Sequence, residues 1–274
     1  MPYYNQPTDS LENDFLTVEY LTQAGPRIVR LIYKALNINL LAESPGVKLN
    51  SPHGDYMVHG GHRFWAAPES PEFTYIPDDL GLKVERSSKS AYLIGGVEQP
   101  TGLQKTIEIK VSETKASVLL EHTLTNCGKN AMVCAAWSLT VLPAGGRAEM
   151  PLRGEPGSNL LPDRQISFWP YGKFSDPRFH LMEDTLEVNV TFAPEIFKVG
   201  ARCPQGWLSY TNNGINFRKK FSFDPSAHYP DFGCNAEIYT NGVIVELESL
   251  SGLVELKPGQ SIHHSETWLI SEAI

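Results

Sequence analysis

The sequence lacks the basic excess on which nucleic-acid binding rests. Lys plus Arg number 23 and Asp plus Glu number 31 among 274 residues, so the formal net charge is -8. Proteins that bind nucleic acids or anionic membranes do so largely through Lys and Arg, whose charge neutralises phosphates or is drawn to acidic lipid headgroups. The composition therefore predicts that neither a nucleic acid nor a membrane is a partner.

Other signals are missing as well. The four cysteines, Cys127, Cys134, Cys203 and Cys234, show no C-x-x-C spacing, which predicts reduced and mostly buried thiols, with no zinc cage. No signal peptide, membrane-length apolar run, G-x-S-x-G, G-x-G-x-x-G or phosphate loop is present. We therefore expect a cytoplasmic protein without a cofactor that is not a serine hydrolase.

Short β-type runs separated by turn residues fill the chain, and helical periodicity is scarce. The clearest runs lie at 15–22, 27–33, 91–97, 106–112, 116–126, 131–142, 235–240, 243–249 and 253–271. Asn241-Gly242 fits a type I′ hairpin turn, and the stretch 143–180 is predicted to form long loops. With 20 prolines and 22 glycines as punctuation, this pattern predicts an all-β protein with little helix, in which residues 1–274 form one domain of stacked antiparallel sheets.

The segment HGGHRFWAAPES, residues 59–70, combines side chains that a folding core does not need. Gly60-Gly61 permits a close approach of the backbone to another segment or to a ligand. His59, His62 and Arg63 supply directional hydrogen bonds, and Trp65 supplies a flat apolar face. Sugars need that combination, because their hydroxyls require fixed donors and acceptors while their C–H faces pack on aromatic rings. A solvent-exposed loop is the alternative.

A metal site is the weaker interpretation of the same segment. His59, His62 and Glu69 can be drawn as three ligands, but no second ligand cluster has convincing spacing, so no metal is predicted. The late run VIVELESLS places Glu246 and Glu248 on one face of a strand, where like charges raise a pKa unless a cation or solvent intervenes. The preceding HYPDFGCNAEIYTN adds further polar candidates at His228, Tyr229, Asp231 and Glu237.

The order of these segments resembles the galactose mutarotase-like superfamily, which includes aldose and hexose-phosphate 1-epimerases. The resemblance runs over H-G-G-H-R-x-W, the strand TLTN-x-G and the ending L-x-PG-x-S…W-x-I, roughly from residue 15 to 271. It is closest to an uncharacterised branch, a domain of unknown function with GGHRxW-type segments. The superfamily's fold, a large antiparallel β-supersandwich, is the fold that the resemblance implies.

The same resemblance implies a chemistry at the anomeric carbon of a sugar, in which a carboxylate accepts a proton and a histidine donates one. Glu246 matches the base in the pattern G-V-x-x-E. His59 falls on the family's basic residue beside Gly-Gly, and Arg63 is the alternative cation. Trp137 falls on the acid's position, and its N–H group only donates a hydrogen bond. Because Ala135, Trp137 and Leu139 share one strand face, we predict that the Trp137 ring faces the pocket.

Three functions stay open at this point. The leading one is a carbohydrate-binding protein for a monosaccharide or sugar phosphate, monomeric or dimeric. Its substrate-binding residues are predicted to be His59, Arg63, Trp65, Trp137, Tyr229, Asp231 and Glu248. The second is an active aldose or sugar-phosphate 1-epimerase, an isomerase, with Glu246 as base and a relocated histidine, His62 foremost, as acid. The third is a structural or partner-binding β-sandwich.

Overall fold

The computed structural model of the protein describes residues 3–79, 81–153 and 162–273. Apart from one four-residue helix, the elements in the described residues are strands. In chain order they are β1 (Thr8–Glu12), β2 (Leu16–Leu21), β3 (Arg27–Tyr33), β4 (Ile38–Asn39), β5 (Glu43–Ser51), β6 (Gly54–Gly60), β7 (His62–Ala67), β8 (Lys83–Arg86), β9 (Ser90–Ile94), β10 (Leu103–Val111), β11 (Ser117–Asn126), β12 (Met132–Pro143), β13 (Arg147–Pro151), β14 (Ile166–Phe168), β15 (Phe179–Leu181), β16 (Thr185–Asn189), β17 (Phe197–Ala201), β18 (Trp207–Asn212), β19 (Ile215–Phe221), α1 (Pro230–Gly233), β20 (Ala236–Thr240), β21 (Ile244–Leu250), β22 (Val254–Leu256) and β23 (Ser261–Glu272).

The strands form two large antiparallel sheets. The larger, with eleven strands, runs β1-β2-β3-β7-β12-β21-β20-β17-β14, with β4 on β3 and β22 on β12. The smaller, with ten strands, runs β15-β16-β13-β18-β19-β23-β11-β10-β9-β8. One hydrophobic cluster takes side chains from both sheets, including Ile28 and Phe64 of the larger sheet and Ile107 and Leu120 of the smaller. This shared core confirms the all-β prediction, while the extent of the domain, residues 1–274, stays a prediction.

The face of the larger sheet that contributes to this core is here called its inner face, and the opposite face its outer face. Strands β5 and β6 form a separate two-stranded hairpin, and its Tyr56 packs edge-on against Trp65 on the outer face. Among the described residues, no helix has the length and apolar character needed to cross a membrane.

The hairpin β20–β21 is present as predicted, but its turn differs. The strands end at Thr240 and resume at Ile244, so the loop has three residues where a type I′ turn has two. Gly242 has a φ of +81°, whereas Asn241 lies outside the left-handed region. The Asn241 side chain accepts hydrogen bonds from the backbone N–H groups of Val243 and Ile244, which stabilises this wider loop without a left-handed asparagine.

The stretch 143–180 also departs from the prediction of long loops. It carries strands β13 and β14 and the first residues of β15, and residues 154–161 lie outside the described residues. Strand β13 belongs to the smaller sheet, and β14 belongs to the larger one. Sequence punctuation by Pro and Gly therefore overstated the loop content here.

Gly60 and Gly61 join β6 to β7 with positive φ angles of +84° and +68°. A Cβ atom at Gly60 would lie 2.3 Å from the carbonyl oxygen of Ala42, and one at Gly61 would lie 2.0 Å from that of Ile28. The glycines therefore permit a close approach between chain segments, which is one of the two reasons that the sequence suggested. The approach fixes β7, and with it Arg63 and Trp65, against β3.

Candidate functional site

Strand alternation places the candidate side chains on the outer face of the larger sheet. Trp65 of β7 is paired in register with Trp137 of β12, and Arg63 with Leu139. The intervening Phe64 belongs to the core between the sheets, so its neighbours along β7 point to the opposite side. The ring of Trp137 therefore lies on the outer face, packed edge-on against Trp65 with ring centroids 5.3 Å apart.

Arg63 and Glu246 meet on this face although 183 residues separate them. One guanidinium nitrogen, Nη2, donates to both carboxylate oxygens of Glu246, at 2.8 and 2.9 Å. The guanidinium carbon lies 4.3 Å from the ring centroid of Trp65. The other two nitrogens of Arg63, Nε and Nη1, are buried and have no hydrogen-bond partner in the described part of the protein. Buried donors are almost always satisfied, so these two atoms point to an acceptor supplied by something else.

A second charged group lies beside Trp137. The indole Nε1 of Trp137 donates to Oε2 of Glu248 at 2.8 Å, and Nζ of Lys198 donates to the same oxygen at 2.9 Å. Lys198 also pairs with Glu237 at 2.6 Å. Glu237 and Glu248 are direct partners across β20 and β21, so two carboxyl groups share a single ammonium in a buried place.

Burial shifts the protonation equilibria of these groups. It raises the pKa of Glu237 well above its usual range, against the opposing effect of Lys198 and with the help of the neighbouring Glu248. Burial also raises the pKa of Glu248, again opposed by Lys198. Burial alone would lower the pKa of Lys198, but the two carboxylates outweigh it and raise that pKa. The ammonium is therefore charged at neutral pH, and the carboxyl groups compete for a proton.

Aromatic rings surround Lys198. Its Nζ lies 5.1 Å from the ring centroid of Trp137 and 4.5 Å from that of Trp169. Trp169 approaches Gly200, where an added Cβ would lie 3.2 Å from Cη2 of the indole. Burial raises the pKa of Tyr171, whose phenol also senses the charges of Lys198 and Glu248. Tyr171 also lines an open cleft of about 810 Å³, together with Asp176 and Arg178.

His62 is a correction to the predicted site. Its side chain lies on the inner face of β7, fully buried, where Nε2 lies 2.8 Å from Nε2 of His122 and Nδ1 lies 2.9 Å from Oγ1 of Thr140. The physical reason is the alternation of strand side chains, because His62 and Arg63 are adjacent and must point to opposite faces. His62 therefore cannot donate a proton to a ligand held by Arg63 and Glu246.

The three ligand-type residues His62, His122 and Glu266 lie together in this inner layer, with ligand atoms within 4.8 Å of one another. Their hydrogen bonds already use every ring nitrogen and both carboxylate oxygens. His122 Nδ1 donates to the carbonyl of His264, so its Nε2 accepts from His62, whose Nδ1 accepts from Thr140. Burial lowers the pKa of both His62 and His122, which keeps the two rings neutral in this chain of hydrogen bonds.

Glu266 is tied into the same layer by Lys219 at 2.7 Å, by the hydroxyls of Ser138 and Ser249, and by the indole of Trp268. A metal ion would have to displace these donors. The inner cluster is therefore well described as a satisfied polar network that holds the two sheets in register, and the set His59, His62 and Glu69 is not assembled by the structure.

The remaining predicted residues lie away from the Arg63–Glu246 pair. His59, with a φ of +55°, places its Nε2 3.2 Å from Asp79. The Tyr229 hydroxyl bonds to the backbone of Asp224. Asp231 lies in the short α1 segment in a left-handed conformation with a φ of +51°. The structure does not bring these three into contact with Arg63 or Glu246.

Lys198 and Trp169 are the residues that the sequence did not suggest. Lys198 stands in the strand FKVGA, whose charged residue between apolar neighbours was the available signal. Gly200 in the same strand marks a close approach, which here is that of Trp169. Neither the charged residue nor the glycine indicates which side chains contact Lys198, because these lie on the distant strands β20, β21 and β12.

These observations define an antiparallel β-supersandwich with an aromatic and charged site on the outer face of its larger sheet. Solved structures with the same architecture include a galactose mutarotase-like protein from Lactobacillus casei ATCC 334, with a TM-score of 0.63 and 10% sequence identity over 97% of this chain and 100% of that chain. A galactose mutarotase related enzyme from Lactobacillus acidophilus has a TM-score of 0.56 at 8% identity, over 97% and 98% of the two chains.

A TPR-domain containing protein from Parabacteroides distasonis ATCC 8503 has a TM-score of 0.68 at 15% identity, over 97% of this chain and 47% of that chain. No protein-family model matches this sequence, and no curated protein sequence is significantly similar to it. The chain has the galactose mutarotase-like fold, which confirms the predicted fold class, while membership of the superfamily stays a prediction. Placement in the GGHRxW-type branch stays a prediction.

Proposed function

We propose that the protein binds a monosaccharide or a sugar phosphate on the outer face of its larger sheet. The observation that carries the proposal is Arg63, whose Nε and Nη1 atoms are buried without an acceptor while its guanidinium lies over the Trp65 ring. A sugar hydroxyl or phosphate oxygen supplies the acceptor, and the C–H face of the sugar packs on an indole.

Two further features support a sugar ligand. Glu246 and Trp137 lie on the same face as Arg63, so donors, acceptors and aromatic rings stand together there, each of them nearly buried in the sugar-free protein. The solved structures with this fold include proteins described as galactose mutarotase-like. Arg63 and Lys198 provide two cations for a phosphorylated sugar, although each already pairs with a carboxylate.

Histidine-dependent 1-epimerase chemistry has little support. Glu246 occupies the position that the family resemblance gives to the base, but the acid's position holds Trp137, whose N–H group donates to Glu248. A positioned acid or base typically contributes about 10²–10⁴-fold to a rate, so its loss leaves a weak catalyst. Relocation of the acid to His62 is excluded by its place on the inner face.

The test compares wild type with Trp137→Ala and Trp137→His. We expect wild type to bind an aldose or its phosphate in ligand-observed NMR and to interconvert its anomers slowly in NMR exchange. Trp137→Ala should weaken binding, because the stacking surface is lost, and Trp137→His should accelerate exchange. Trp207→Ala, on β18 of the smaller sheet, is the matched control.

Fast exchange by wild type that neither Trp137 variant changes would contradict the proposal and favour an active 1-epimerase with another acid. Failure of wild type to bind any sugar in the panel would favour a structural or partner-binding β-sandwich. The cytoplasmic location and the monomeric or dimeric state belong to the same proposal, and size-exclusion chromatography with light scattering tests the latter.

A further inference from the structure

Lys198 presents a proton-bearing group to the outer face in the part of the fold where the family's histidine is missing. An ammonium group has three N–H donors. Nζ of Lys198 donates to Glu248 at 2.9 Å and forms an ion pair with Glu237 at 2.6 Å, and the rings of Trp137 and Trp169 lie beside it. Lys198 is 4% exposed, Glu248 is 1% exposed and Glu237 is fully enclosed, so Lys198 is the least enclosed of the three. Glu237 and Glu248 are called the carboxyl pair below.

When both are ionised, Glu237 and Glu248 carry more negative charge than the single ammonium of Lys198 neutralises. Two carboxylates and one ammonium leave a net charge of one negative unit, and the cations Arg63 and Arg27 on the same face are engaged with Glu246 and Asp78. Both carboxylate oxygens of Glu237 are buried and have no hydrogen-bond donor among the described residues, although Oε2 lies 2.6 Å from Nζ of Lys198. Burying a charge without a counter-charge raises the free energy of the folded protein, and binding a proton to a carboxylate removes that charge. The raised pKa of both carboxyl groups agrees with this balance.

We infer that Lys198 is the proton donor of the outer face, and that Glu237 and Glu248 together hold the proton that replaces the one Lys198 gives up. This inference rests on the proposed sugar site and assigns its weak ring-opening activity to a particular set of residues. Trp137 is then a positioning residue, because its N–H group fixes Glu248 beside the ammonium.

The step is balanced in atoms and charge. Glu246 takes the proton of the anomeric hydroxyl as the bond between the anomeric carbon and the ring oxygen breaks and a carbonyl forms. The ring oxygen takes a proton from Lys198, and Lys198 takes the shared proton from the carboxyl pair across its 2.6 Å contact with Glu237. The ammonium is restored, the pair becomes fully ionised, and ring closure on either face of the carbonyl returns both protons.

The spacing of Glu246 and Glu248 along β21 agrees with their separate roles as base and as partner of Lys198. Glu246 and Glu248 are two positions apart on one face of β21, which places the base and the group bound to Lys198 about 7 Å apart along the strand. Several titratable and charged groups surround the pair. They are Lys198 on β17, Glu246 on β21, Asp231 in α1, the thiol of Cys234, Lys219 on β19, and the phenols of Tyr171 and Tyr239.

Two isosteric or charge-conserving variants separate proton transfer from structure. Lys198→Arg keeps the positive charge but cannot release a proton at neutral pH. Glu237→Gln keeps the shape and the Lys198–Glu248 pair but removes the shared proton. Glu149→Gln, at a half-buried carboxylate on β13 of the smaller sheet, is the control. Thermal melts followed by circular dichroism establish that each variant is folded.

Infrared spectroscopy of the sugar-free protein at pH 7 should show the C=O band of one protonated carboxylic acid, absent in Glu237→Gln and retained in Glu149→Gln. NMR exchange should show a wild-type anomer interconversion rate above that of buffer, which falls as pH rises and the pair loses its proton. Both Lys198→Arg and Glu237→Gln should reduce that rate about 100-fold while still binding the sugar.

A wild-type spectrum without the carboxylic acid band, or a band that persists in Glu237→Gln, overturns the shared proton. Exchange by Lys198→Arg at the wild-type rate, or wild-type exchange no faster than buffer, overturns the donor role. If no sugar binds to wild type, the proposed function fails, whereas the infrared band still decides whether the pair holds a proton.

Discussion

The buried histidine layer between the sheets predicts a measurable loss of stability in mild acid. The Ser249 hydroxyl donates to Glu266, so Nε2 of His264 on β23 donates to Oγ of Ser249 at 2.6 Å, and the same nitrogen lies 3.9 Å from Glu266. Burial is the largest effect and lowers the pKa of His264 to about 3, although Glu266 opposes the shift and His122 adds to it. The ring is therefore neutral in the folded protein throughout mild acid.

The sign of the effect follows from proton binding. Below pH 6.5, the usual pKa of histidine, the unfolded chain takes up a proton at this position and the folded protein does not, so the free energy of unfolding falls as the pH falls. The loss continues until the pH reaches the folded pKa. From pH 7.5 to pH 5, linkage gives a loss of about 2 kcal/mol for this one group.

The perturbation is His264→Gln, which keeps a hydrogen-bonding side chain beside Ser249 but cannot titrate. Urea unfolding followed by tryptophan fluorescence at pH 7.5, 6.5, 5.5 and 5 gives the free energy of unfolding of each variant. We expect the loss between pH 7.5 and pH 5 to be about 2 kcal/mol smaller in His264→Gln than in wild type. His263→Gln, at an exposed ring on the same strand, is the matched control.

Comparison of variant with wild type cancels the contribution of other groups, including Glu237, whose raised pKa has the opposite sign and stabilises the fold as the pH falls. Identical losses in wild type and His264→Gln would refute a neutral buried ring at this position. A flatter pH dependence in His263→Gln as well would show that burial is not the cause.

Three further predictions concern the fold. Gly61→Ala should lower the free energy of unfolding by at least about 1–3 kcal/mol, because its Cβ would lie 2.0 Å from the carbonyl of Ile28 at a φ of +68°; a thermal melt no lower than that of wild type would contradict this. Lys219→Met should cost about 3–5 kcal/mol in urea unfolding, since Glu266 loses its only cation at 2.7 Å. Phe232→Ser should change stability by less than about 0.5 kcal/mol, because this side chain is 92% exposed, and a larger loss would reveal a contact that the structure does not show.

The strand pattern of the sequence was a reliable guide where strands alternate or end in Gly and Pro. Residues 27–33 form β3 as predicted, and 131–142 correspond closely to β12. Period-two alternation also places Trp137 on the face opposite to Ala136 and Ser138, which point inward. That its ring faces a ligand pocket stays a prediction, because the ring is 3% exposed within a buried apolar cluster. These successes share a cause, since side-chain alternation depends only on local backbone geometry.

The site was predictable only in part. Arg63 and Glu246 were both singled out, but the family resemblance gave Glu246 the role of base, and the sequence gave no sign of its direct pairing with Arg63. His62 was predicted to lie in the site because its segment is rich in polar and aromatic residues. It points inward because it is adjacent to Arg63, and adjacent residues of a strand point to opposite faces. Lys198 was missed because its importance arises from three other strands, and such tertiary neighbours leave no local pattern in the sequence.

The central claim is that the outer face binds a sugar through Arg63. The most direct test is the dissociation constant of an aldose or aldose phosphate, chosen from a ligand-observed NMR panel, for wild type and Arg63→Lys. Lysine keeps a positive charge beside Glu246 but lacks the two nitrogens, Nε and Nη1, that have no acceptor among the described residues. Arg147→Lys, at a half-exposed position on β13, is the control.

We predict that wild type and Arg147→Lys bind the sugar equally and that Arg63→Lys binds it at least about tenfold more weakly, which corresponds to the loss of about one charge-assisted hydrogen bond. Equal binding by Arg63→Lys and wild type, or no sugar binding by wild type, would contradict the account.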